Sequence, residues 1–95
     1  MFTIISYDIV EDKRRTKVLK LLKGYGTRVQ YSVFECDLNQ QQFAEVGRKL
    51  RAIINGDTDS VRCYRLDAIA VAGIQILGIG RVTVEEPYIL VGRKS

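Results

Sequence analysis

The chain has 95 residues, 46% of them apolar and 27% charged, which suits one soluble globular domain and argues against disorder over most of its length. It contains no histidine, so the histidine general base, the Ser/His/Asp and Cys/His triads and histidine-based nucleases are excluded. The net charge of +4 points only weakly to a polyanionic partner, but its distribution along the chain says more.

Phe2 to Asp8 is expected to form a first strand, rich in β-branched and aromatic residues. Phe2 and Ile4 lie on one side of it, Ile5 and Tyr7 on the other, and a strand apolar on both faces asks to be covered on both. This opening carries no basic region before its apolar run and already contains Asp8, so a secretion signal is not expected. No apolar run approaches the roughly 18 residues that span a bilayer.

Glu11-Asp12 offers a helix start with negative charge where the helix dipole favours it. A helix is expected from about Asp12 to Lys23, with Val18, Leu21 and Leu22 as its buried stripe and Gly24 as its stop. From Lys13 to Gly24 there are six basic residues (Lys13, Arg14, Arg15, Lys17, Lys20 and Lys23) and no acidic one. Lys23-Gly24-Tyr25-Gly26 copies the start of an RNA-recognition-motif signature, but Thr27 and Arg28 break it, and it follows a helix where that signature needs a strand. The glycines read better as a helix stop and a turn.

Arg28 to Leu38 is too long for one ordinary strand, which predicts two strands or one sharply bent. Asn39 and Gln42 make a capping pair for a second helix carrying Phe43, Val46, Leu50 and Ile53/Ile54 at helical spacing, stopped by Asn55-Gly56. Ser60 to Leu66 reads as another strand. The order strand–helix–strand–strand–helix–strand is that of an α+β, ferredoxin-like βαββαβ domain. Beyond it, Asp67 to Gly73 reads as a short helix or a loop, Ile74 to Ile79 as a short strand and Tyr88 to Val91 as another. The expected unit is a single domain over residues 1–95, with its core in 1–66 and a C-terminal tail over 67–95. Cys36 and Cys63 each sit in an apolar run, too far apart for a zinc site, and read as reduced, packed thiols.

Both helices of such a domain cover one side of the sheet, and the other side is too apolar here to leave in water. The C-terminal strands could cover part of it; the simpler solution is a second copy packed face to face, which would bring strand-one residues near their symmetry mates. Asp8, at the end of that strand, then has two readings. It ends the strand and caps the next turn, or it is a metal ligand. Mg²⁺ takes one or two carboxylates and leaves water and phosphate to complete its octahedron, so one Asp8 is a poor site and two across a dimer axis are a credible one. The basic helix is either a solvated face or a phosphate-binding surface led by Lys13, Arg14, Arg15 and Lys17. Arg28 beside Tyr31 and Phe34 is either a phosphate clamp with base-stacking aromatics or part of the core and dimer interface.

Two segments carry a family resemblance. Ser6-Tyr7-Asp8-Ile9-Val10-Glu11-Asp12-Lys13-Arg14-Arg15 and Tyr25-Gly26-Thr27-Arg28-Val29-Gln30-Tyr31-Ser32-Val33-Phe34-Glu35-Cys36-Asp37-Leu38 resemble the CRISPR-associated protein two family. With the order of elements, the resemblance covers roughly residues 1–66, and it implies that the tail, 67–95, packs on a partner subunit. It implies a cytoplasmic, ferredoxin-like homodimer in prokaryotic defence against foreign DNA, and Mg²⁺-dependent (or Mn²⁺-dependent) phosphodiester cleavage of RNA or DNA in some members. It also implies assembly with the CRISPR integrase to insert new spacer DNA, with a non-catalytic DNA-binding scaffold as the alternative role. Asp8 matches the family's metal and catalytic aspartate. Tyr7, Arg15, Arg28 and Phe34 match positions used around it, and Lys17 stands where some members have arginine.

Overall fold

Phe2–Asp8 forms β1, the strand on which the fold is built, in a computed structural model that describes residues 1–82. Around it run α1 (Asp12–Lys23), β2 (Gly26–Gln30), β3 (Val33–Asp37), α2 (Gln40–Ile53), β4 (Ser60–Leu66) and a short α3 (Ala68–Ala72). The sheet order is β2-β3-β1-β4 with every pairing antiparallel, so β1 and β3 are central and β4 is an edge. This is the expected βαββαβ arrangement.

The long extended stretch resolves into two strands with a bulge. Arg28 opposes Phe34 and Gln30 opposes Val33, so Val29 is the extra residue and the ribbon bends there. Gly26, read from sequence as a turn residue, is instead the first residue of β2. A Cβ on Gly26 would run into Cys36 Sγ and the Glu35 carbonyl, so only glycine fits where β2 approaches β3.

Strand periodicity sorts β1 into two faces. Thr3, Ile5 and Tyr7 share the buried face, and Ile5 and Tyr7 join Phe34, Cys36, Leu38, Val18, Leu22, Val46 and Leu50 in the main core. Residues i and i+4 lie on one face of a helix, which is why Val18/Leu22 and Val46/Leu50 are the buried pairs. The expected cap of α2 closes as a reciprocal pair: Asn39 Oδ1 accepts from the Gln42 N–H at 2.8 Å, and Gln42 Oε1 accepts from the Asn39 N–H at 2.9 Å. Glu11 occupies the N-cap of α1, but its side chain does not cap; it pairs with Arg14 instead.

The opposite face has its own small core. Phe2 is closed over by Val71 of α3 and by Val82, with Ile4, Leu66 and Ile74 packed around them. Asp67, whose carboxylate accepts from the Ala70 N–H, starts α3, so the segment left open between helix and loop is a helix. The expected strand at Ile74–Ile79 does not form. Gly78 and Gly80 take positive φ values of 90° and 132°, and the chain crosses the open face of the sheet irregularly. The Tyr88–Val91 strand lies outside the described residues. Both thiols are free, and burial pushes Cys36 up to about 11. Cys63 is exposed on the edge strand rather than packed, because nothing among the described residues covers that position.

Truncating a fully buried aromatic removes its packing and leaves a cavity. Phe34→Ala is expected to cost about 3–5 kcal/mol, against less than about 0.5 for the exposed Ile69→Ala, in urea unfolding followed by circular dichroism.

Candidate active site

The end of β1 is where sequence and structure converge. Tyr7 and Asp8 are neighbours, so a strand must send them to opposite faces. Tyr7 is 5% exposed and stacks on Phe34, ring centroids 6.5 Å apart. Burial raises its phenol pKa and the positive charge of Arg28 opposes that, leaving Tyr7 a neutral hydroxyl at physiological pH. Asp8 pairs with Ser60 in register and is exposed, and its carboxylate makes no hydrogen bond or ion pair among the described residues.

On the helix side of this strand end is a cleft of about 320 Å³ lined by Tyr7, Asp12, Arg15, Thr16, Leu19, Arg28 and Tyr31. Arg28 Nε donates to the Tyr31 carbonyl at 3.0 Å, and its guanidinium lies over the Tyr31 ring, 5.1 Å from the centroid. Tyr31 is 72% exposed at the β2–β3 turn, which sets it apart from the core role its aromaticity suggested. Arg15 donates to the Ile9 carbonyl through Nε (3.1 Å) and Nη2 (2.9 Å), and to Asp12 through Nη1 (2.5 Å). Asp8 is within electrostatic reach of that guanidinium. The cleft therefore holds two arginines, one of them paired with the Asp12 carboxylate, a neutral phenol and an exposed tyrosine ring with Arg28 over one face, groups able to meet an anionic, planar ligand.

Two residues expected here are placed elsewhere. Phe34 is fully buried and reaches the cleft only as the packing behind Tyr7, because it opposes Ile5 on the helix face of the sheet. Arg14 is turned away from Arg15 and donates to Asp59 through Nε at 2.8 Å and Nη2 at 3.3 Å, and to Glu11 through Nη1 at 3.0 Å. Lys13 and Lys17 are exposed along a second groove with Asp12, Thr16 and Lys20, and neither has a carboxylate partner among the described residues. Thr16 and Leu19 were not singled out in the sequence, where they read as ordinary helix residues. Asp59 was missed as well: it sits 45 residues from Arg14, and no local pattern announces such a pair.

The family model described as CRISPR associated protein Cas2 matches residues 1–72. The chain belongs to the Cas2 family. A protein of Chloroflexus aurantiacus named "CRISPR-associated endoribonuclease Cas2 3" is 54% identical over 91 residues, covering 96% of this chain and 98% of that one. A "CRISPR-associated endoribonuclease Cas2" of Thermus thermophilus is 44% identical over 71 residues, covering 75% of this chain and 76% of that one. Among solved structures, Streptococcus pyogenes Cas2 superposes with a TM-score of 0.73 at 36% identity, covering 82% of this chain and 100% of that one. A hypothetical protein of Thermus thermophilus reaches 0.76 at 36% identity, covering 85% and 94%.

In this Cas2 chain no group of three or more His, Cys, Asp or Glu side chains could hold a metal ion among the described residues. The lone free Asp8 carboxylate still suits a hard cation that keeps most of its shell in water and phosphate. Asp59 is a different kind of acid. The Arg14 guanidinium holds its carboxyl well below the usual carboxylate range, with help from the Asn55 and Val10 N–H groups and the Thr58 hydroxyl, while burial opposes them. A carboxyl with a depressed folded pKa contributes stability above its unfolded value, near 3.9, and loses it as pH falls toward the folded value. Asp59→Asn is therefore expected to lower the urea midpoint at pH 7, and the gap from wild type should narrow as pH drops below about 4.

Proposed function

We propose that this Cas2 chain is a divalent-metal-dependent phosphodiesterase acting on RNA or DNA, and that it works as a face-to-face homodimer. The supporting observation is the exposed Asp8 carboxylate at the end of β1, the strand end whose other face opens on a cleft with Arg15, Arg28 and Tyr31. The relatives' printed names, endoribonucleases in the main, agree with a nuclease. Twofold packing of the open sheet faces would set two Asp8 side chains near the axis, enough acid for one Mg²⁺ or Mn²⁺. When bound, that ion would supply Lewis-acid stabilisation of phosphate charge and a more acidic water.

The chain's own residues do the rest. Arg15 and Arg28 bind and orient the phosphate, Tyr31 offers a stacking surface, and Tyr7 places a neutral hydroxyl beside them. Phe34 supports Tyr7 from behind. Lys13 and Lys17 contact the nucleic-acid backbone beyond the cleft, and Arg14 fixes the helix that carries them. We place the tail beyond Leu66 partly against the partner subunit and the protein in the cytoplasm.

A scaffold role in spacer acquisition, with the CRISPR integrase as partner, is favoured by one observation. Lys13, Lys17, Lys20 and Lys23 form a cationic face with no carboxylate partner among the described residues, suited to sequence-independent backbone contact. One experiment separates the roles. Asp8→Ala is expected to slow Mg²⁺-dependent cleavage of labelled single-stranded RNA by about 100-fold or more and to leave nucleic-acid affinity and its salt dependence unchanged. Cleavage that persists in Asp8→Ala, or that EDTA does not stop, overturns the nuclease reading. Replacing Lys13 and Lys17 with alanine should lower the salt slope of binding by about 2, and an unchanged slope removes them from the backbone contact.

A further inference from the structure

We infer that Asp59 is a remote positioning residue for Asp8 and Arg15, acting through the peptide bond between Ile9 and Val10. The inference rests on the proposed role of Asp8. That peptide is held at both poles by charge. Its carbonyl, on Ile9, accepts two hydrogen bonds from the Arg15 guanidinium, at 3.1 and 2.9 Å. Its N–H, on Val10, donates to Asp59 Oδ1 at 3.2 Å. The Ile9 side chain, buried in the main core, pins the same link from a third side.

The geometry gives the clamp its consequence. Only Ile9, Val10 and Glu11 separate the last residue of β1 from the first of α1. Asp8 is tied on one side by its register with Ser60 and on the other by a peptide held against rotation. Arg15 is fixed by the same peptide. Three of its five N–H donors are engaged by Ile9 and Asp12, which holds the guanidinium in one orientation at the cleft wall and leaves two donors for a ligand. Asp59 has no exposed side-chain surface, and it also accepts from Arg14, from the Asn55 N–H at 2.9 Å and from the Thr58 hydroxyl at 3.2 Å. It thus ties the start of α1 and the β1–α1 loop to the α2–β4 loop. A catalytic carboxylate and a phosphate-binding arginine on the two elements that flank a three-residue connection need such a tie, since misplacement by an ångström is enough to cost about 100-fold in rate.

The test compares wild type, Asp59→Ala and Asp59→Asn as full chains, below their melting temperatures, by two independent readouts. One is amide hydrogen exchange at Val10 and Ile5 by NMR; the other is cleavage of single-stranded RNA with Mg²⁺, resolved into kcat and KM. In Asp59→Ala the Val10 amide is expected to exchange roughly tenfold faster with Ile5 unchanged. In the same variant kcat should fall roughly tenfold with KM within about twofold. Asp59→Asn keeps a side-chain oxygen for the Val10 N–H, so it should retain Val10 protection and most of kcat despite the lost Arg14 charge pair. Unchanged Val10 exchange in Asp59→Ala overturns the inference, as does joint loss of protection at Val10 and Ile5, which marks general destabilisation. A fall in kcat equal in both variants also overturns it. If wild type cleaves neither RNA nor DNA, the nuclease reading fails by itself, and Val10 exchange alone decides the clamp.

Discussion

The period of two along β1 constrains everything else in this protein. A strand buried on both faces must alternate its side chains, so Ile5 and Tyr7 feed the helix-covered core while Phe2 and Ile4 turn to the open face. At the strand's end the same rule separates Tyr7, which lines the cleft, from Asp8, which does not. A single chain therefore sets Asp8 on one side of the sheet and the cleft with Tyr7, Arg15 and Arg28 on the other. The two sides meet only at the strand terminus, and there Arg15 is the group close enough to sense both.

Adjacent arginines on α1 carry this division further. Consecutive helical side chains are about 100° apart, so Arg14 and Arg15 cannot share a target. Arg14 goes to a desolvated carboxylate, where its planar fork satisfies two oxygens. Arg15 goes to a backbone carbonyl and an exposed acid, and so keeps donors for a ligand. The distinction is one of solvation. Removing Arg14 would leave Asp59 charged and buried, whereas removing Arg15 exposes only a carbonyl at the surface. Equal charge and adjacent numbering thus conceal unequal roles, and a loss of binding in an Arg14 variant would report on α1 before it reported on contact with nucleic acid.

Most of the fold was legible because its signals are local. The apolar run of β1, the Val18/Leu22 spacing of α1 with Gly24 behind it, the Asn39/Gln42 cap of α2 and the Ser60–Leu66 strand each arise from residues within a few positions of one another. Ile74–Ile79 misled for a physical reason. Its apolar residues have strand propensity, but Gly78 and Gly80 supply positive φ values, and the segment packs on the sheet by single side chains instead of a ladder. In the site, Asp8 was legible because a carboxylate ending an apolar strand is conspicuous. The Arg14–Asp59 pair was not, since it depends on which loop the α2–β4 connection brings over the start of α1.

At Phe34, long-range packing overrides the role that its neighbours in sequence suggest. It stands in the segment that most resembles the family and beside Arg28 in the sheet register, both of which point to contact with a ligand. Yet it has no exposed surface, and its ring stacks on the far side of Tyr7 from solvent. Any influence it has on a bound nucleotide must pass through the position of Tyr7. Since the same ring also fills the main core, a smaller residue there loosens the core and the cleft wall together. Leucine and alanine at this position should then differ in activity in proportion to the cavity each leaves, because the cleft feels the change only through packing. For an aromatic that touched the ligand directly, the two would be equivalent losses of a stacking face.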